Sequence, residues 1–112
     1  MIQTYIKDDN IVIRLDFESL DIFTAVDLKI FLYKIPIEKN EKVVLDIENL
    51  TYLDSSGLGL IISFWRNLKN KNSSIALANG RNKVKDVLEM TNVGNMIPYF
   101  DSLDEAIKSK IE

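Results

Sequence analysis

The spacing of apolar positions switches along the chain between a period of two and a period of three to four, and the switches divide it into strands and helices. Ile11, Ile13 and Leu15 alternate with Val12, Arg14 and Asp16, which predicts a strand over 11–16 with one better-buried face. A strand over 3–7 precedes it, and Asp8, Asp9 and Asn10 between them supply the polar turn of a hairpin. Leu28, Phe31, Leu32 and Ile35 then recur at helical spacing; Thr24 with Asp27 three residues on predicts the start of that helix, and Pro36 stops it. Residues 43–47 (VVLDI) form a nearly continuous apolar run rich in β-branched residues, the pattern of a parallel strand buried on both faces. Asp54-Ser55-Ser56-Gly57 turns the chain into a second helix ending near Asn70. A short buried strand over 74–78 comes next, followed by a third helix over 82–90 with Val84, Val87 and Leu88 inward. Pro98 precedes a short strand at Tyr99 and Phe100, and Ser102 with Glu105 opens a last helix. Strands alternating with helices behind an opening antiparallel hairpin predict an α/β fold with a mixed β-sheet and about four helices.

Composition narrows the function. The 112 residues are enough for one core and too few for two, so residues 1–112 read as a single domain. With 14 basic and 17 acidic residues the formal net charge is −3, which leaves no basic face for nucleic acid or for an anionic membrane surface. There is no cysteine, so disulfides, thiolate metal sites and Cys nucleophiles are excluded. There is no histidine either, which removes the commonest general base and metal ligand and with them a Ser-His-Asp triad. The N-terminus lacks a signal-peptide pattern, and the longest apolar stretch, 58–65, is interrupted by Gly59 and Ser63 and is far below the roughly 20 residues that span a bilayer. The expectation is a soluble, cytoplasmic protein.

The most informative segment is 43–65, VVLDIENLTYLDSSGLGLIISFW. A buried strand leads through a tight turn to a helix N-terminus where two hydroxyls, Ser55 and Ser56, sit. Free N–H groups and the positive end of the helix dipole favour an anion there, and Gly57 and Gly59 leave room for close approach. The competing reading is an ordinary turn in which Ser or Asp does no more than cap the helix. Gly57-Leu58-Gly59 does not extend to a dinucleotide fingerprint, since position 62 is Ile and the residue some twenty further on, Asn79, is not acidic; no P-loop is present. Asp46 and Asp54 suggest a Mg²⁺ pair by type alone, but a strand residue and a turn former do not supply the several convergent oxygens that a hard cation needs. No cofactor is expected.

The run Leu45-Asp46-Ile47, Leu50, Leu53, Asp54-Ser55-Ser56-Gly57-Leu58-Gly59 resembles the signature of STAS domains, specifically bacterial anti-sigma factor antagonists. Leu20-Asp21 with Thr24-Ala25 is similar to the family's segment before its first helix. Val84-Lys85, Val87-Leu88, Met90-Thr91 and Val93 are similar to its third helix and the loop after it, and Met96-Ile97 and Tyr99-Phe100 to its last strand, so that nearly the whole chain is covered. The resemblance implies a non-enzymatic switch. The unphosphorylated protein would bind an anti-sigma factor serine kinase and free the sigma factor, phosphorylation of Ser55 would end the binding, and a serine phosphatase would restore it. Asp21, Asp54, Ser56, Gly57 and Leu58 would belong to the partner-binding surface, on a monomer or weak dimer. One departure is the segment Phe17-Glu18-Ser19-Leu20-Asp21, one residue longer than the family's usual loop and with Phe17 in place of its glycine. Two rival readings are a scaffold STAS subunit of a stress-signalling or lipid-transport complex, and an enzyme with Ser55 as nucleophile, for which no motif places a base. In the second helix, Leu58, Leu60, Ile61, Ile62, Phe64 and Trp65 cover most of the circumference; one stripe is core, and the rest is open between core and partner surface.

Overall fold

The computed structural model describes residues 1–110, without the side chain of Asn82; residues 111–112, the end of the expected domain, lie outside the described residues. A sheet in the order β1-β2-β4-β6-β7 is built from β1 (Ile2–Lys7), β2 (Asn10–Leu15), β4 (Lys42–Asp46), β6 (Ser74–Ala78) and β7 (Tyr99–Phe100). β1 and β2 are antiparallel, and every later pairing is parallel. The hairpin turn is tighter than expected. Lys7 pairs with Asn10, and Asp8 and Asp9 alone turn the chain, both with left-handed backbone (φ 50° and 64°), so Asn10 already belongs to β2. Asp and Asn tolerate that conformation better than most residues, and paired left-handed residues match the twist of the strands.

Alternation along the central strands feeds two cores. Ile13, Leu15, Val43, Leu45, Ile75 and Leu77 face the main one, which α1 (Ile22–Leu32), α2 (Ser55–Asn70) and α3 (Asn82–Met90) cover. Val12, Val44 and Ala78 face a smaller one closed by Ala106 and Ile107 of α4 (Leu103–Lys108). Lys42 ties α4 to the sheet: its Nζ donates to the carbonyls of Ala106 (2.7 Å) and Ile107 (3.0 Å), a cation on the orphan acceptors of a helix C-terminus. Desolvation at that place lowers the Lys42 pKa. Ser102 caps α4 as expected, accepting from Glu105 N at 3.1 Å.

Two differences from the expected elements bear on function. A second, two-stranded parallel sheet joins β3 (Ser19–Leu20) to β5 (Tyr52–Leu53), each too short to show a period. In addition, α1 begins at Ile22 rather than near Thr24, because Asp21 is its N-cap; Thr24 closes the capping box from inside the first turn, so the box is Asp21–Thr24 and not Thr24–Asp27. A carboxylate accepts two N–H bonds at once and outcompetes a hydroxyl for the cap.

Candidate functional site

The small sheet sets two helix starts side by side. Ser19 pairs with Tyr52 and Leu20 with Leu53, and each strand runs directly into an aspartate that caps a helix. Asp21 Oδ1 accepts from Phe23 N (2.9 Å) and Thr24 N (3.0 Å) and opens α1. Asp54 Oδ1 accepts from Ser56 N (3.0 Å) and Gly57 N (3.2 Å) and opens α2. The two starts are cross-linked, since Asp54 N donates to Leu20 O at 3.3 Å. Thr24 Oγ1 accepts from Asp21 N (2.9 Å) and donates to Ser19 O (2.7 Å), which fixes β3 against its own helix. These bonds hold the Asp21 carboxyl below its ordinary pKa, that from Thr24 N first among them.

The segment Phe17 to Asp21, noted in the sequence, takes part in this arrangement. Glu18 O accepts from Thr51 N (2.7 Å) and Tyr52 N (3.2 Å), while Phe17 packs partly buried on the main core. The segment 17–21 is therefore ordered into β3 and the α1 cap. Its strand length of two residues is why the pattern gave no sign of it.

Ser55 is the first residue of α2 and is exposed; Ser56 is half-buried. Two expectations about this turn need correction. The first N–H groups of α2 at Ser56 and Gly57 are not free for an anion, because Asp54 already holds them. Nor does Gly57 leave room for a ligand: it is buried, and a Cβ there would lie 2.7 Å from Leu20 Cγ, 2.7 Å from Leu53 Cδ1 and 2.8 Å from Leu20 O. Its hydrogen atom is what lets α2 close onto the small sheet. Gly59 is the open glycine, where a Cβ would meet nothing within 4 Å. Leu58 is partly buried on the main core, as are Ile62 and Trp65, while Leu60, Ile61, Phe64 and Leu68 are buried. The apolar residues of α2 thus go mainly to the interior, and the helix shows solvent Ser55, Gly59, Ser63 and Arg66.

Asp46 and Asp54 serve separate purposes. Asp46 is buried and accepts from Arg14 Nη1 (3.3 Å), Asn79 Nδ2 (3.1 Å) and Glu48 N (3.1 Å). Among the described residues no group of three or more acidic, His or Cys side chains is placed to hold a metal ion, and no helix is long and apolar enough to cross a membrane.

A groove of about 370 Å³ runs between α1 and α2 beside this site, with Ile22, Val26 and Lys29 on one wall and Ser56, Gly59 and Ser63 on the other. Sequence reasoning looked for exposed apolar surface on α2 and missed that on α1. The signal was present: Ile22, Phe23, Val26 and Ile30 lie off the Leu28–Leu32 stripe, so a helix apolar all round had a second face to account for.

The STAS domain family model matches residues 1–106. The chain belongs to the STAS domain family. A candidate anti-sigma factor antagonist of Thermotoga maritima is 26% identical over 101 residues, 89% of each chain. An anti-sigma F factor antagonist of Paenibacillus polymyxa is 31% identical over 62 residues, 55% of this chain and 53% of its own. In structure, an anti-sigma-factor antagonist STAS domain protein from Planctomyces limnophilus superposes with a TM-score of 0.84 at 22% identity, over 95% of this chain and 93% of that one. That likeness bears out the expected fold: one α/β STAS domain, a mixed sheet with one antiparallel pair, and four α-helices among the described residues.

Proposed function

We propose that this STAS domain is an anti-sigma factor antagonist whose unphosphorylated form binds an anti-sigma factor serine kinase, and that phosphorylation of Ser55 switches the binding off until a serine phosphatase removes the phosphate. The role is the one named for the Thermotoga and Paenibacillus relatives. The observation that carries the Ser55 assignment is the position of the residue: exposed, first in α2, and directly after a cap whose Oδ1 already holds Ser56 N and Gly57 N. A phosphate there adds roughly −1.5 to −2 of charge beside Asp54 and finds the neighbouring N–H groups taken. With Ser56 N and Gly57 N held by Asp54, that charge stays at the surface, where a docked partner would have to desolvate it. That penalty is several kcal/mol, and each 1.4 kcal/mol or so is tenfold in affinity. Asp21, Asp54, Ser56 and the edge of Leu58 surround Ser55 in this reading, while Gly57 acts by holding the turn against Leu20 and Leu53.

The test uses the cognate kinase and ATP. Intact mass rises by one phosphate, and peptide mapping places it on Ser55. Ser55→Ala binds the kinase and resists modification; Ser55→Glu folds as the parent does and binds at least tenfold more weakly by calorimetry. Phosphate on Ser56 alone, or a Ser55→Glu protein that binds like the parent, overturns the assignment and returns the chain to the scaffold reading.

A further inference from the structure

Gly59 is a glycine that the packing of the domain does not explain. It stands inside α2, where glycine is a poor helix former, and a Cβ on it would meet nothing within 4 Å, so no close approach within the chain requires it. What the missing side chain leaves is space in the groove of about 370 Å³ between α1 and α2. On the facing wall Ala25 is small, while Ile22 and Val26 are apolar and each more than half exposed. A side chain at position 59 would fill this groove from the α2 side without displacing any part of the core.

The groove has a direction. At one end Ile22 and Ser56 line it, and the residues that precede them in the chain, Asp21 and Ser55, flank its mouth. At the other end the hydroxyls of Tyr33, the C-cap of α1, and Ser63 of α2 meet at 3.4 Å. Lys29, the one charged lining residue among those described, lies one turn before Tyr33 and roughly 12 Å along α1 from the Asp21 cap. Among the described residues it pairs with no carboxylate. Arg66 adds a second cation about one turn beyond Ser63. Asp27 does not belong to this surface, because at about 100° per residue it falls roughly 160° round α1 from Lys29. An apolar slot with a basic inner end fits an apolar side chain that has a carboxylate beside it. The mouth opens at Ser55, so the surface assigned above to the kinase continues into the slot, and a phosphate on Ser55 would oppose the same acidic segment.

We infer that the groove between α1 and α2 seats an apolar side chain of the anti-sigma factor kinase, with an acidic neighbour on Lys29, and that Gly59 keeps the slot open for it. The inference rests on the kinase reading above. Calorimetry with the cognate kinase tests it, alongside the mass measurement of Ser55 phosphorylation. Gly59→Leu binds the kinase at least about tenfold more weakly than the parent, and Gly59→Ala falls between the two, both with unchanged circular dichroism. Gly94→Leu, the matched change at an equally open glycine on the turn Val93–Asn95, leaves binding as it was. Lys29→Glu weakens binding several-fold, and the loss shrinks as salt is raised. A kinase that binds and phosphorylates the parent, and binds Gly59→Leu equally well, overturns the groove and leaves the kinase reading standing. So do equal losses at Gly59 and Gly94. A Ser55→Glu protein that binds like the parent, while Gly59→Leu does not, removes the Ser55 switch and upholds the groove. A parent that the kinase neither binds nor modifies overturns both. If Gly59→Leu instead abolishes self-association in sedimentation and spares kinase binding, the slot belongs to a second copy and the proposal is overturned.

Discussion

The two helix starts at the small sheet are built alike and finished differently. Asp21-Ile22-Phe23-Thr24 and Asp54-Ser55-Ser56-Gly57 both leave a two-residue strand, both cap with an aspartate, and both use the third helical residue to lock the turn onto β3. The locks differ in kind. Thr24 does it with hydrogen bonds to Asp21 N and Ser19 O, and Gly57 with the lack of a side chain against Leu20 and Leu53. Once cap and lock are in place, the two positions between them are free of structural duty. In α1 they carry Ile22 and Phe23 and stand out as apolar surface; in α2 they carry hydroxyls, one exposed and one at the groove wall. The same backbone device thus presents two chemistries a short distance apart, and the functional content lies in the residues that the fold does not need.

Substitutions at the locks give the largest effects. Gly57→Ala is expected to destabilise the domain by about 2 kcal/mol in urea unfolding, although Ala is the better helix former, because the clash includes the immobile Leu20 O. The identical change two residues on, Gly59→Ala, meets nothing and should stabilise by about 0.5–1 kcal/mol. Equal effects at the two glycines would show that the small sheet yields, and that Gly57 is no lock. Thr24→Ala comes next, at about 1 kcal/mol, since both partners of its hydroxyl stay near water and regain part of what they lose. If Thr24→Ala matched or exceeded Gly57→Ala, the ranking of the steric lock above the polar one would be reversed.

The smallest expected effect concerns the caps. Hydrogen bonds from Thr24 N and its neighbours depress the folded-state pKa of Asp21 below the ordinary 3.8. A depressed carboxyl contributes stability that is fully present above the unfolded value and is lost as pH falls through the folded one. The stability difference between the parent and Asp21→Asn, followed by thermal melts, should therefore hold constant from pH 7 to about pH 5 and narrow below about pH 4. A difference that is flat down to pH 2 would mean that the carboxylate is not the acceptor that matters.

Much of this could be read from the residues alone. The central strands follow from the alternation of β2 and the buried apolar runs of β4 and β6, α3 from its helical stripe, and the end of α2 near Asn70 from the polar stretch behind it. The Asp-Ser-Ser-Gly-Leu-Gly run pointed to the turn and to Ser55 as its exposed hydroxyl. What the pattern did not reveal has a common cause. β3 and β5 have two residues each, so neither can display a period, and without them Asp21 looked like a loop residue and Gly57 like an opening for a ligand. The face of α1 was hidden for a related reason: a core stripe at 28, 31, 32 and 35 accounts for the helix so well that the apolar residues off the stripe go unasked.

Because Gly57 fits only at the third position after the Asp54 cap, the segment that displays Ser55 can change in composition but not in length. One residue inserted between Asp54 and Ser55 would advance the helix by about 100° and put Ser56 where the glycine belongs, driving a Cβ into Leu20 and Leu53. Randomising Ser55 and Ser56 in a display library should accordingly yield folded proteins throughout, whereas single-codon insertions or deletions across 54–57 should be lost at the first selection for solubility.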